Sequence, residues 1–61
     1  MSVIFNQKAN ASWIIGQAME LKALLSHNSE NMVKANKNRA LADVDSIKTA
    51  IAEIEEYVKS L

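Results

Sequence analysis

Seven carboxylates and one imidazole are the side chains of this 61-residue sequence that could support acid–base or metal chemistry. General acid–base catalysis needs titratable groups held together in a site that excludes water. Glu53 and Glu56 share a helix face, but that face lies opposite the apolar residues, so we expect both carboxylates to be solvated. A di-metal carboxylate bundle needs inward-facing Glu with His three residues later, and no Glu has this spacing. We therefore expect no catalytic residue, no metal ligand, no cofactor and no enzymatic activity.

His27 is the single imidazole, and the sequence has no Cys. A structural zinc site draws on several Cys and His ligands, so we expect none here. The apolar spacing places His27 at the end of the first predicted helix. The helix dipole favours a charged imidazole at a carboxyl end, which indicates a capping role.

Lys34, Lys37 and Arg39 form the one basic cluster of a chain whose net charge is zero. A dedicated nucleic-acid binder normally carries a clear positive excess, so the simpler interpretation is that these three side chains form a solvated surface without a specific ligand. Helical spacing puts Lys34 and Lys37 on one face and directs Arg39 away. The alternative is a contact with an anion or nucleic acid, repeated by the symmetry of an oligomer.

Three aromatic residues are candidates for contacts with a partner. Trp13 lies one step off an apolar stripe, which suits the edge of a core, a contact within the protein's own oligomer or an anchor for another protein. Phe5 and Tyr57 fall at the same end of a helical hairpin if the chain reverses near residue 28. Together they could line an aromatic patch at that end.

The elements that position these residues are two amphipathic helices, since apolar residues recur at intervals of three and four. Leu41, Ala50 and Tyr57 widen the second stripe, which favours a bundle over a two-stranded coiled coil. The first stripe consists of Ile4, Ala11, Ile14, Ala18, Leu21 and Leu25, and the second of Val44, Ile47, Ile51, Ile54, Val58 and Leu61. From these stripes we expect the core and oligomer interface to contain Ile4, Ile14, Ala18, Leu21, Leu25, Val44, Ile47, Ile51, Ile54 and Val58.

The helices can be joined at residues 27–29 or at residues 36–38. We favour 27–29, because Asn28 can end a helix in the left-handed region and Ser29 is a good N-cap. This turn gives arms of about 25 and 32 residues, roughly 40–50 Å long, with Trp13 level with the neighbourhood of Val44. Ser2 could cap the first helix, and a break near residues 10–12 that would separate residues 2–9 is left open.

Residues 1–61 are expected to form one all-α domain, an antiparallel helical hairpin. A chain this short buries little surface alone, so we expect a homo-oligomer, preferably a dimer, forming a four-helix or larger bundle. No apolar run is long enough to span a membrane and no signal peptide is evident, so a cytoplasmic protein without membrane contact is expected. The length and periodicity resemble those of small dimeric helical-hairpin proteins, including plasmid and phage regulators.

The expected function is that of a small interaction protein that binds, inhibits or scaffolds another macromolecule through a protein–protein contact. A preference for Lys over Arg and frequent Asn suggest an AT-rich genome such as that of a bacterium or phage, and we expect the protein to be encoded by a phage or mobile element. The alternatives are a nucleic-acid-associated regulator using residues 34–39 and an oligomer that binds a small ligand between its subunits.

Overall fold

The computed structural model describes residues 3–61, with side chains from residue 4 onward. This part of the chain contains three helices: α1 (Val3–His27), α2 (Glu30–Ala35) and α3 (Lys37–Lys59). α1 packs mainly against α3, and the Cα atoms span 44 × 15 × 14 Å. The all-α prediction is confirmed, and α1 has no break near residues 10–12. The expected cap at Ser2 lies outside the described residues.

The chain reverses at Asn28 and Ser29, so residues 36–38 are not the turn. Ser29 is the N-cap of α2, where its Oγ accepts a hydrogen bond from the Met32 N–H at 3.3 Å. The left-handed conformation expected for Asn28 was wrong, because no residue of the described chain other than glycine has a positive φ. Instead, the Asn28 Nδ2 donates to the Leu24 carbonyl at 2.8 Å. This bond satisfies one of the carbonyls left free at a helix end.

Asn36 separates α2 from α3, so the continuous second arm of about 32 residues was also wrong. Its backbone has φ −105° and ψ 22°, and its Nδ2 donates to the Met32 carbonyl at 2.8 Å. Asn side chains compete with helical backbone bonds in this way. The Ala40 N–H still donates to the Asn36 carbonyl at 3.1 Å, so α3 begins directly after the interruption.

α1 and the second arm meet along a seam, whose members recur at intervals of three and four residues as in a coiled coil. Much of this seam is polar, and within the described residues Ala50 is the one apolar residue that is fully buried, at 4% exposure. The hairpin alone therefore has almost no core. The seam residues are Gln7, Asn10, Ile14, Gln17, Leu21, Leu24 and Asn28 on one arm and Val33, Asn36, Ala40, Asp43, Ile47, Ala50, Ile54 and Tyr57 on the other.

The two arms are displaced by a few residues from the expected levels. Trp13 lies in one groove with Ser46 and Ala50, further along α3 than the predicted neighbourhood of Val44. α1 packs mainly against α3. Part of α2 therefore serves as the connection between the two arms, and this shifts their relative levels.

Candidate interaction surfaces

One long side of the hairpin is held by polar contacts between α1 and α3, and we call it the polar side. Arg39 Nη2 lies 2.6 Å from Glu20 Oε1, and Arg39 Nε donates to the same oxygen at 2.7 Å. Further from the turn, Asn10 Nδ2 donates to Glu53 Oε2 at 2.7 Å. These contacts show which sides of the two antiparallel helices adjoin.

Trp13 lies in an open groove on the polar side, with a volume of about 440 Å³. The Trp13 side chain remains 54% exposed, so the groove does not enclose it. Asp45 and Glu53 place carboxylates in the same groove, and Asn10 already donates a hydrogen bond to one Glu53 oxygen. An indole beside carboxylates suits a cationic or hydrogen-bonding group.

The predicted basic cluster is divided by the structure. Arg39 is engaged by Glu20 on the polar side, whereas Lys34 belongs to α2 and Lys37 begins α3. Both lysines are exposed. His27 lies in the last turn of α1, as expected, and lines a second groove of about 310 Å³ together with Arg39.

The opposite long side of the hairpin carries exposed apolar residues from both helices, and we call it the open apolar face. Ile51 is 48% exposed, Val58 58% and Leu25 63%. Contiguous exposed apolar patches of this kind mark interaction sites in proteins. The face consists of Ile4, Ala11, Ile15, Ala18 and Leu25 on α1 and Leu41, Val44, Ile51 and Val58 on α3.

The apolar stripes read from the sequence are centred between the seam and the open apolar face. Ile14, Leu21, Ile47 and Ile54 are half-buried in the seam, while the remaining large members are exposed or, at Val44, half-buried. In a hairpin that needed nothing else, each stripe would be centred on the other helix. A stripe that is displaced from the seam in this way is typical of a helix that packs against a second apolar neighbour.

Asp43 is the seam residue that sequence reasoning missed. It is 8% exposed, and its Oδ2 has no hydrogen-bond partner in the described structure. Its spacing from Ala50 and Tyr57, seven and fourteen residues later, was the available signal. Both were interpreted as flanking residues, because the apolar stripe drew the predicted core toward Val44 and Ile51.

The remaining aromatic residues lie at the end of the hairpin away from the turn. Tyr57 is half-buried in the seam near the end of α3, and Phe5 is 54% exposed near the start of α1. The two thus occupy the same end of the molecule, as expected for a reversal near residue 28.

No helix in residues 3–61 is long and apolar enough to cross a membrane. Within the same residues, no group of three or more His, Asp or Glu side chains could hold a metal ion. No protein-family model, no curated protein and no solved structure matches the chain. Functional proposals for this protein therefore rest on its own surfaces.

Proposed function

We propose that this protein is a non-enzymatic helical interaction protein whose activity is association through the open apolar face. Two hairpins joined by that face form a four-helix bundle, which leaves the polar side outward for contact with another macromolecule. The observation that carries the proposal is the row of large, half-exposed apolar side chains along the whole length of the hairpin.

Support comes first from the free energy that the face makes available. Fully burying a Val or Ile side chain contributes about 1.5–3 kcal/mol. Ile51 and Val58 retain about half of their exposure, so covering each would contribute roughly 1 kcal/mol. The seam supplies little in comparison, because no large side chain in the described residues is fully buried.

Support comes also from α1 itself, which is apolar on more than one side. Ile14 and Leu21 pack in the seam, whereas Ile15 and Leu25 lie on the open apolar face and Met19 lies beyond both. A helix that is apolar around much of its circumference normally has several packing neighbours. One neighbouring helix leaves α1 incompletely covered.

Size-exclusion chromatography with light scattering tests the proposal on the unmodified chain, Ile51→Lys and Ala52→Lys. The two variants introduce the same charge on adjacent residues of α3, but Ala52 lies outside the open apolar face. We expect the unmodified chain and Ala52→Lys to elute above the 6.7 kDa chain mass, and Ile51→Lys to shift toward it. Monomeric behaviour of the unmodified chain, or identical behaviour of the two variants, would overturn the proposal.

A further inference from the structure

We infer that the occupant of the open apolar face is a second copy of this chain, docked so that both turns lie at the same end of the bundle. This inference rests on the proposed association of two hairpins and specifies their relative orientation. In this arrangement α1 of each hairpin packs against α3 of the other, and Lys8 adjoins Glu55 of the partner subunit.

The dimensions of the face fit a second copy. A long side of the hairpin measures 44 × 15 Å between Cα atoms, a projected area of about 660 Å². Stable interfaces bury about 800 Å² per partner, and side chains extend the contact beyond the Cα outline. An identical hairpin supplies an apolar face of the same length, which is the self-complementarity that a two-fold dimer requires.

Two symmetric orientations bring the faces together. With the two-fold axis along the helices, the turns share one end and α1 meets α3 of the partner. With the axis across the helices, the turns lie at opposite ends and each helix meets its own copy. Every neighbouring pair of helices is antiparallel in both cases, so the charges at the rim of the face distinguish them.

The opposite-end orientation places like charges together. Ile15 lies at the middle of α1, the helix spanning Val3–His27. When two copies of α1 cross there in antiparallel order, Lys8 comes level with the partner's Lys22. The contacts of Asn10 with Glu53 and of Glu20 with Arg39 place Ile15 level with about Ser46. Two copies of α3 that cross there bring Lys48 within about 6 Å in height of Lys48 of the partner subunit. These contacts are repulsive, whereas the same levels bring Lys37 near the partner's Glu55, one pair of opposite charges.

The same-end orientation places opposite charges together. Rotation about an axis along the helices preserves height, so the contact between Asn10 and Glu53 sets the levels between subunits as well. Lys8 precedes Asn10 by two residues and Glu55 follows Glu53 by two, so both lie about 3 Å further from the turn. Lys8 thereby comes level with the partner's Glu55.

Neighbouring charges weaken the pairing of Lys8 with the partner's Glu55, but they do not reverse the preference for the same-end orientation. Glu55 Oε1 already binds Lys59 at 2.9 Å, but the Glu55 side chain is 59% exposed and accessible to a second cation. Lys22 lies between Ala18 and Leu25 on the same side of α1 and comes to a height similar to that of the partner's Lys37, both side chains being exposed in the hairpin. The same-end dimer thus has one attractive and one repulsive contact per copy, whereas the opposite-end dimer adds the repulsion between the two copies of Lys48 to one attractive and one repulsive contact.

A distance between spin labels measures the orientation directly. The chain has no Cys, so Asn31→Cys, at an exposed position in α2, accepts one label next to the turn. Packed helices lie 8–10 Å apart, so the same-end dimer is expected to give about 15–30 Å between labels. The opposite-end dimer would give a distance near the 44 Å length of the hairpin, which would overturn the inference.

Charge reversal at Lys8 provides a second test, because it should weaken association in the same-end dimer and strengthen it in the opposite-end dimer. In the same-end dimer, Lys8→Glu places two acids together and is expected to weaken association about 3- to 30-fold. Adding Glu55→Lys should restore it. Strengthened association of Lys8→Glu would overturn the orientation, because Glu would then face the partner's Lys22. A dimer with long label distances refutes only this inference, whereas a monomeric unmodified chain refutes the proposed function too.

Discussion

The Asp43 carboxylate is a buried polar group in a seam that is otherwise short of apolar contacts, and we predict that replacing it stabilises the protein. Asp43 is 8% exposed and its Oδ2 has no hydrogen-bond partner in the described structure. The informative substitution is Asp43→Leu, because Leu has the same branching and replaces the two carboxylate oxygens with methyl groups. The side chain then keeps its branch at Cγ and loses the polar atoms, although its methyl groups are larger than the oxygens that they replace.

The magnitude follows from removal of the unsatisfied oxygen. A buried polar atom without a partner costs about 1–3 kcal/mol, and the new methyl groups add roughly 1 kcal/mol of apolar burial. We therefore expect Asp43→Leu to raise the free energy of unfolding by about 2–4 kcal/mol. For a domain of about 60 residues this corresponds to an increase in Tm of roughly 10–30 °C.

Urea titration followed by circular dichroism measures the change, with both proteins at one fixed concentration because association contributes to apparent stability. Asp45→Leu is the matched control, since the same substitution two residues later falls on an exposed position. The control should change the free energy by no more than about 0.5 kcal/mol. A lower urea midpoint for Asp43→Leu would refute the reasoning, because it would show that the folded protein satisfies this carboxylate.

Four further outcomes test individual contacts. Ser29→Ala should lower the free energy of unfolding in urea by about 1 kcal/mol, because α2 loses its N-cap. Gly16→Ala should raise it by roughly 0.5–1 kcal/mol, since nothing lies within 4 Å of the added Cβ. Arg39→Ala should change it by no more than about 1 kcal/mol, as the pair with Glu20 is exposed. Trp13 fluorescence should keep its emission maximum on dilution across the association range, because Trp13 lies on the polar side.

The sequence was sufficient for the features set by local chemistry. Ser29 is followed by a helix-forming segment, and its predicted capping role was confirmed because an N-cap depends on few residues. The all-α architecture also followed from spacing alone. At Asn28 and Asn36 the outcome differed, because in both cases the side-chain amide bonds to a backbone carbonyl four residues earlier. Composition does not reveal which of its hydrogen bonds an Asn will make.

The seam could not be derived from the sequence in full, because the apolar stripe and the intramolecular contact do not coincide. Ile51 and Val58 were expected in the core or oligomer interface, and the hairpin alone leaves them exposed on the open apolar face. Asp43 and Asn10 lie in the seam or bridge it, although neither belongs to a stripe. A periodic pattern locates the centre of all the packing that a helix makes, and it does not separate contacts within the chain from contacts between chains.

Sedimentation equilibrium tests most directly whether the folded unit contains more than one copy of this chain. Measurements should run from about 1 µM to about 1 mM, a range that spans the affinities of ordinary dimers. We predict a mass that rises with concentration to twice the 6.7 kDa of one chain. A single species of 6.7 kDa that stays monomeric at every concentration and unfolds cooperatively on heating would contradict it.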